Sequence, residues 1–140
     1  MSRLSWALIG GGEGSQVGFA HRAAAQLDNN FSLVAGALDV NPDSARAFGI
    51  SLGLESARSY GSWRDMLYAE KNVEGDQRID LVTVATPNST HFEITKEFLE
   101  AGFHVLCEKP LTMTVEEAQA LVLIAKASNR ICAVNYGYTG

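Results

Sequence analysis

Basic side chains are in the minority. Eleven lysines and arginines stand against sixteen acids in 140 residues, a formal charge of −5. They form no stripe able to neutralise a row of phosphates, which argues against a nucleic-acid partner. Long apolar runs are absent too. No stretch approaches the roughly 20 residues of a membrane span, and the N-terminal "MSRLSWALIG" has too short an apolar run for a secretory leader. The sequence therefore reads as cytoplasmic, with no membrane partner. Cysteine is limited to Cys107 and Cys132. They fall at the end of one expected strand and near the start of another. If those strands are parallel neighbours the two lie at opposite ends, and at about 3.3 Å per residue that is beyond disulfide reach. Both read as core thiols of a reducing compartment. There are no repeats, no low-complexity tracts and no metal-ligand set. What is present, 46% hydrophobic and 19% charged residues, is ordinary globular composition and enough chain for one domain with a buried core.

Short apolar runs alternate with longer helical patterns. The expected strands are "LSWALI" (4–9), "FSLVAGAL" (31–38), a short "ARSY" (57–60), "IDLVTVA" (79–85), "FHVLC" (103–107) and "RICAV" (130–134). Several are almost continuously apolar, as strands covered on both faces of a parallel sheet are. Helix starts are readable in Asn41-Pro42, in Ser62 to Asp65, and in the capping box Thr114 to Glu117. Val17, Ala20, Ala24 and Leu27 line one face of the first helix, and Val115, Ala118, Leu121, Val122 and Ala125 one face of the last. The polar "EKNVEGDQR" (70–78) reads as a surface loop. Strand-helix alternation throughout implies an α/β fold with a doubly wound, mostly parallel sheet. In such sheets ligands bind beyond the carboxyl ends of the strands, at the switch point beside the first.

The stretch "LIGGGEGSQVG" lies at that edge, with five glycines in the nine positions 10–18. A dinucleotide turn uses glycine for the tight bend, for backbone approach to a pyrophosphate, and for helix-sheet contact. Gly10, Gly12 and Gly14 can fill the first two roles. The standard spacing puts the third on Ser15, whereas the next glycine is Gly18, so the turn is longer than usual. A plain glycine-rich turn without a ligand is the competing reading. Asp39, 21 positions after Gly18 at the end of the second strand, is placed to accept hydrogen bonds from a ribose. It can equally be a solvated loop acid beside the Asn-Pro turn.

Two further loops leave the same edge, "TPNSTH" (86–91) and "CEKPL" (107–111). Thr86 and Asn88 can hydrogen-bond a cofactor, or serve local turns, with Asn88 or Ser89 capping the next helix. His91 shares a helix face with Ile94 and Phe98 and reads as packed. Lys109 leaves a buried strand directly at the cleft, between Glu108 and Pro110, where an ammonium can polarise a substrate oxygen or move its proton.

The glycine-rich turn, "TPN" with a histidine close behind, and "EKP" after the fifth expected strand together resemble the glucose-fructose oxidoreductase, inositol dehydrogenase and rhizopine-catabolism (Gfo/Idh/MocA) family, over essentially all 140 residues. The resemblance implies a Rossmann domain that binds NAD, with NADP as the variant. It also implies hydride transfer to or from a sugar, cyclitol or related small molecule. By position, Gly10, Gly12 and Gly14 would face the pyrophosphate and Asp39 the adenosine ribose. Thr86, Asn88 and Glu108 would face the cofactor's central and nicotinamide side, and Lys109 the substrate. In the family a second α/β domain follows, carrying an acid/base, most substrate contacts and the homo-oligomer interface. This chain ends at "VNYGYTG", near where that domain would begin, so it is expected to be the cofactor half of a larger enzyme and inactive alone. Two rivals stand beside this reading. A methyltransferase also uses a glycine turn and a strand-end acid, but has no need of Lys109. A non-catalytic nucleotide sensor suits the short length.

Overall fold

The computed structural model describes residues 3–137; the last three residues of "VNYGYTG" lie outside that range. Its elements run β1 (Leu4–Gly10), α1 (Gln16–Leu27), β2 (Phe31–Ala37), α2 (Pro42–Ser51), α3 (Trp63–Glu70), β3 (Leu81–Ala85), α4 (His91–Glu100), β4 (His104–Glu108), α5 (Val115–Ser128) and β5 (Cys132–Asn135). The five strands form one parallel sheet in the order β2-β1-β3-β4-β5. One register line crosses it through Ala37, Ile9, Val84, Cys107 and Val134. The strands therefore end nearly level, and the segments that follow them, carrying Asp39, the glycine turn, Thr86 and Lys109, share one edge.

Alternation along each strand divides the side chains between two cores. Ala7, Ile9, Val82, Val84, Val105 and Cys107 pack against Met66 of α3, Ile94 and Phe98 of α4, and Leu121 of α5. On the opposite face Trp6, Leu8 and Leu38 meet Ala25 of α1 and Phe48 of α2. The expected helix caps form. Asn41 accepts from the Asp43 and Ser44 amides, Ser62 from Asp65, and Thr114 from Glu117.

Several local expectations are corrected. "ARSY" makes a 3₁₀ turn over Ser56–Arg58 and a single parallel bridge, Ser59 to Gly36, not a strand. Only Leu121 of the expected α5 stripe is buried, and Val115 and Val122 are exposed. In α1 Gly18 is buried and His21, Arg22 and Ala25 are partly buried, while Val17, Ala20, Ala24 and Leu27, the expected inward stripe, are exposed. Neither Asn88 nor Ser89 caps α4; they sit in a 3₁₀ turn that runs into it, and Thr90 occupies the cap position. Glu70, placed by the sequence in a surface loop, is 1% exposed. Arg58 holds both its carboxylate oxygens, at 2.8 and 2.7 Å, and the Tyr60 hydroxyl donates to it at 2.8 Å. This network fastens the "ARSY" segment to α3. Cys132 pairs with Val105, so Cys107 lies two residues along the adjacent strand. That is about 8 Å away, not the length of a strand, though still too far for a bond. Both thiols are free, and burial pushes that of Cys107 up to about 11. No helix of the described residues is long and apolar enough to cross a membrane.

Candidate functional site

The glycine turn is shaped by contacts that leave no space for side chains. Gly10 (φ +76°) ends β1 so close to β3 that a Cβ there would lie 2.4 Å from the Ala85 carbonyl oxygen. At Gly12 a Cβ would stand 2.4 Å from the Leu38 carbonyl oxygen and 3.2 Å from Asp39 Oδ2. Gly12 thus touches the end of β2 whether or not a ligand is bound. At Gly18 a Cβ would be 2.0 Å from the Gly11 carbonyl oxygen. Gly18 is therefore the helix-packing glycine, three positions later than the usual spacing, and Gly11 is the counterpart that the sequence reading passed over. Gly14 (φ +76°) has no atom within 4 Å of its Cβ position, so its glycine serves backbone conformation in an open setting.

Helix α1 begins directly behind this turn. Ser15 caps it, accepting from the Gly18 amide at 3.0 Å. The first-turn amides have no partner within the helix and carry the positive end of its dipole, an arrangement suited to an anion. Arg22, one turn further on, donates to the Gly11 carbonyl at 2.8 Å and lies over the Phe48 ring. Burial lowers its pKa. Arg22 thus fixes the turn from the helix side, a contact with no local sequence signal.

A cavity of about 390 Å³ opens at the switch point between β1 and β3, lined among others by Gly10, Gly11, Asp39, Trp63, Thr86 and Pro87. Asp39 separates it from a second hollow lined by Glu13, Ser44 and Phe48. One Asp39 oxygen accepts from the Asn41 amide at 2.8 Å and the other lies beside Gly12. The acid is therefore oriented in the wall and is not a free loop residue. Thr86 and Thr90 hydroxyls meet at 2.7 Å, and Thr90 also donates to the Pro87 carbonyl. Asn88 is exposed on the turn after β3.

Glu108 does not line this cavity. Its Oε1 meets His21 Nε2 of α1 at 2.7 Å and accepts from Asn135 of β5 at 2.6 Å, while Oε2 accepts from the Lys109 amide at 3.3 Å. Burial pushes the carboxyl pKa up, but the hydrogen bonds from Asn135 and His21 outweigh it and hold the group below its ordinary value. His21 and Asn135 stand 87 and 27 residues from Glu108 in sequence, so no local pattern announces them. Lys109, next along the chain, is exposed. Gly10, Asp39 and Thr86 are thus gathered around one cavity, and Gly12 packs behind its wall against Leu38 and Asp39. Glu108 belongs to a neighbouring cluster that ties the loop carrying Lys109 to α1 and β5.

The cradle fits a dinucleotide. Its glycines hold the turn in close backbone contact with β3, the end of β2 and α1, a helix N-terminus stands behind them, and an oriented carboxylate forms the adjoining wall. Comparison with known proteins agrees. Residues 4–136 match the model of the GFO_IDH_MocA oxidoreductase family, NAD-binding Rossmann fold. The uncharacterised oxidoreductase YfiI of Bacillus subtilis is 45% identical over 98% of this chain and 35% of its own length. Levoglucosan dehydrogenase of Pseudarthrobacter phenanthrenivorans is 36% identical over 99% of the chain and 34% of its own. The crystal structure of an inositol dehydrogenase homolog from Azotobacter vinelandii, complexed with NADH and myo-inositol, superposes with a TM-score of 0.92 at 49% identity. It covers 98% of this chain and 36% of that one. The chain spans about a third of the length of these relatives.

Proposed function

The chain belongs to the Gfo/Idh/MocA oxidoreductase family, and on that footing we propose that it is the cofactor-binding part of an NAD-dependent enzyme that oxidises or reduces a sugar, cyclitol or related hydroxy compound. The observation that carries the reading is the cradle itself. Gly10, Gly12 and Gly18 set the turn in backbone contact with β3, the end of β2 and α1, where no side chain fits, so the N-terminus of α1 is presented at the sheet edge beside Asp39. The substrate class rests on the relatives, which include a levoglucosan dehydrogenase, a UDP-N-acetylglucosamine 3-dehydrogenase and the inositol dehydrogenase homolog. NAD, when bound, supplies the hydride acceptor or donor.

The chain's own residues do the rest. The first-turn amides of α1 hold the pyrophosphate, and Gly14 leaves the approach open. Asp39 accepts from the adenosine ribose, a choice that favours NAD, because a 2′-phosphate beside its carboxylate would be repelled. Thr86 and Asn88 flank the cofactor from the β3 side. The Glu108 cluster steadies the next loop on the nicotinamide side. Lys109 faces the substrate, where its ammonium stabilises negative charge on the reacting oxygen or exchanges its proton. The remaining substrate contacts, and the interface of a homo-oligomer, are assigned to a second domain of the full-length protein. A cytoplasmic setting is part of the proposal. The test is Lys109→Met in the full-length enzyme. Turnover should fall by about 10² to 10⁴ while NAD affinity stays nearly unchanged. Retained turnover would remove Lys109 from the chemistry.

A further inference from the structure

His91 is 1% exposed, and helical spacing places it among core residues. Its ring does more than fill volume. Nε2 lies 2.8 Å from the carbonyl oxygen of Thr86, and Nδ1 lies 2.6 Å from the carbonyl oxygen of Pro110. Thr86 opens the "TPN" loop at the cavity wall, and Pro110 follows Lys109 in the "EKP" loop. A single buried ring thus spans the backbones of two loops that neighbour on the sheet edge but are separated in the chain by all of α4 and β4.

We propose that His91 is a positioning residue that couples these loops and sets the placement of Lys109. A neutral ring carries one N–H and so donates to one of the two carbonyls, while the other lies against the ring in packing contact; wedged between both backbones, the buried ring transmits movement of one loop to the other. Lys109 is then held on both sides: through Glu108 by His21 and Asn135, and through the Pro110 carbonyl by His91. An exposed lysine with a long stem gains its aim from the backbone that carries it. Fixing that backbone on both flanks restricts where the ammonium can reach. A residue displaced by about 1 Å from its productive geometry can cost about 10² in rate, and that is the size of effect expected from losing the ring.

The kinetic part rests on the proposed function; the coupling itself does not. The test uses the full-length protein and two readouts. Hydrogen exchange followed by mass spectrometry on His91→Gln should show faster exchange in peptides covering 86–90 and 108–112 together, with the remaining peptides unchanged. Acceleration in only one of the two, or uniformly throughout, would overturn the coupling. The second readout is a double-mutant cycle with Lys109→Met. His91→Gln should lower kcat by about 10² in the wild-type background and have little further effect once Lys109 is gone. Equal losses in both backgrounds would overturn the assignment to Lys109 placement. Should Lys109→Met alone keep its turnover, the proposed chemistry fails, and the exchange experiment still decides the coupling. Should His91→Gln not fold, the wild-type protein labelled with ¹⁵N-histidine decides it. A buried ring N–H bonded to a carbonyl gives a slowly exchanging resonance at neutral pH, and a rapidly exchanging ring would overturn the proposal.

Discussion

Gly18→Ala tests the packing of α1 on the glycine turn. The added Cβ would stand 2.0 Å from the Gly11 carbonyl oxygen, 2.5 Å from its carbon and 2.6 Å from its Cα, all backbone atoms, whereas contacts under 3.0 Å essentially never occur. Backbone cannot swing aside as a long side chain does, so α1 must retreat by about 1 Å. Overpacking of this kind costs about 1 to 3 kcal/mol, and replacing a helical glycine by alanine returns up to about 1 kcal/mol. With the full return the net expectation is a loss of up to about 2 kcal/mol, measurable by urea denaturation. The larger consequence falls on the cofactor. If the retreat breaks one amide contact to a phosphate, worth about 1.5 to 3 kcal/mol as a charge-assisted bond, NADH affinity falls by about tenfold to a hundredfold. Calorimetric titration of the variant measures this. Wild-type affinity together with wild-type stability would refute the packing role of Gly18 and return the third glycine position to Ser15.

Two other perturbations follow from the charges. Arg58→Ala leaves the Glu70 carboxylate buried with only Tyr60 as partner, and removing one member of a buried pair costs about 3 to 5 kcal/mol; Arg64→Ala, at an exposed pair, should change stability far less, and equal losses in urea denaturation would contradict the account. Glu108 has a lowered pKa in the folded state, so its contribution to stability is present above its unfolded value near 4.5 and is lost as pH falls through the lower folded value. The stability gap between the wild type and Glu108→Gln should therefore shrink on acidification below pH about 4.5, and a gap independent of pH would show that the hydrogen bonds from Asn135 and His21 do not favour the charged form.

The parts of this molecule that were legible in sequence are those set by local chemistry. Asn41-Pro42, Ser62 and Thr114 cap helices because the oxygen and the amide it bonds lie two or three residues apart. The strands were readable because a parallel sheet covered on both faces is apolar almost without interruption. The inward faces of α1 and α5 are not legible in the same way: apolar residues are spread around both helices, so more than one stripe at helical spacing can be drawn on each. In α1 the true inward face includes His21 and Arg22, polar residues whose ends are satisfied by Glu108 and by the Gly11 carbonyl, contacts that exist only once the fold has formed. Glu70 reads as a solvated acid in sequence because its partner, Arg58, lies twelve residues earlier across a turn. At the sheet edge, spacing alone is enough to bring Gly10, Asp39 and Thr86 to one cavity. The roles of Gly11, Gly18, His21 and Asn135 are not legible from spacing, since each depends on how closely two backbones approach or on residues distant in sequence.

The central claim is that the turn from Gly10 to Gly18, with Asp39 in its wall, holds NAD. Calorimetric titration of the full-length protein with NADH and, separately, with NADPH tests it most directly, run alongside Asp39→Ala. The account predicts saturable binding of NADH with one site per chain, weaker binding of NADPH, and a smaller difference between the two once Asp39 is removed. Absence of saturable NADH binding would contradict the cradle itself, and tighter binding of NADPH than of NADH would contradict the role given to Asp39.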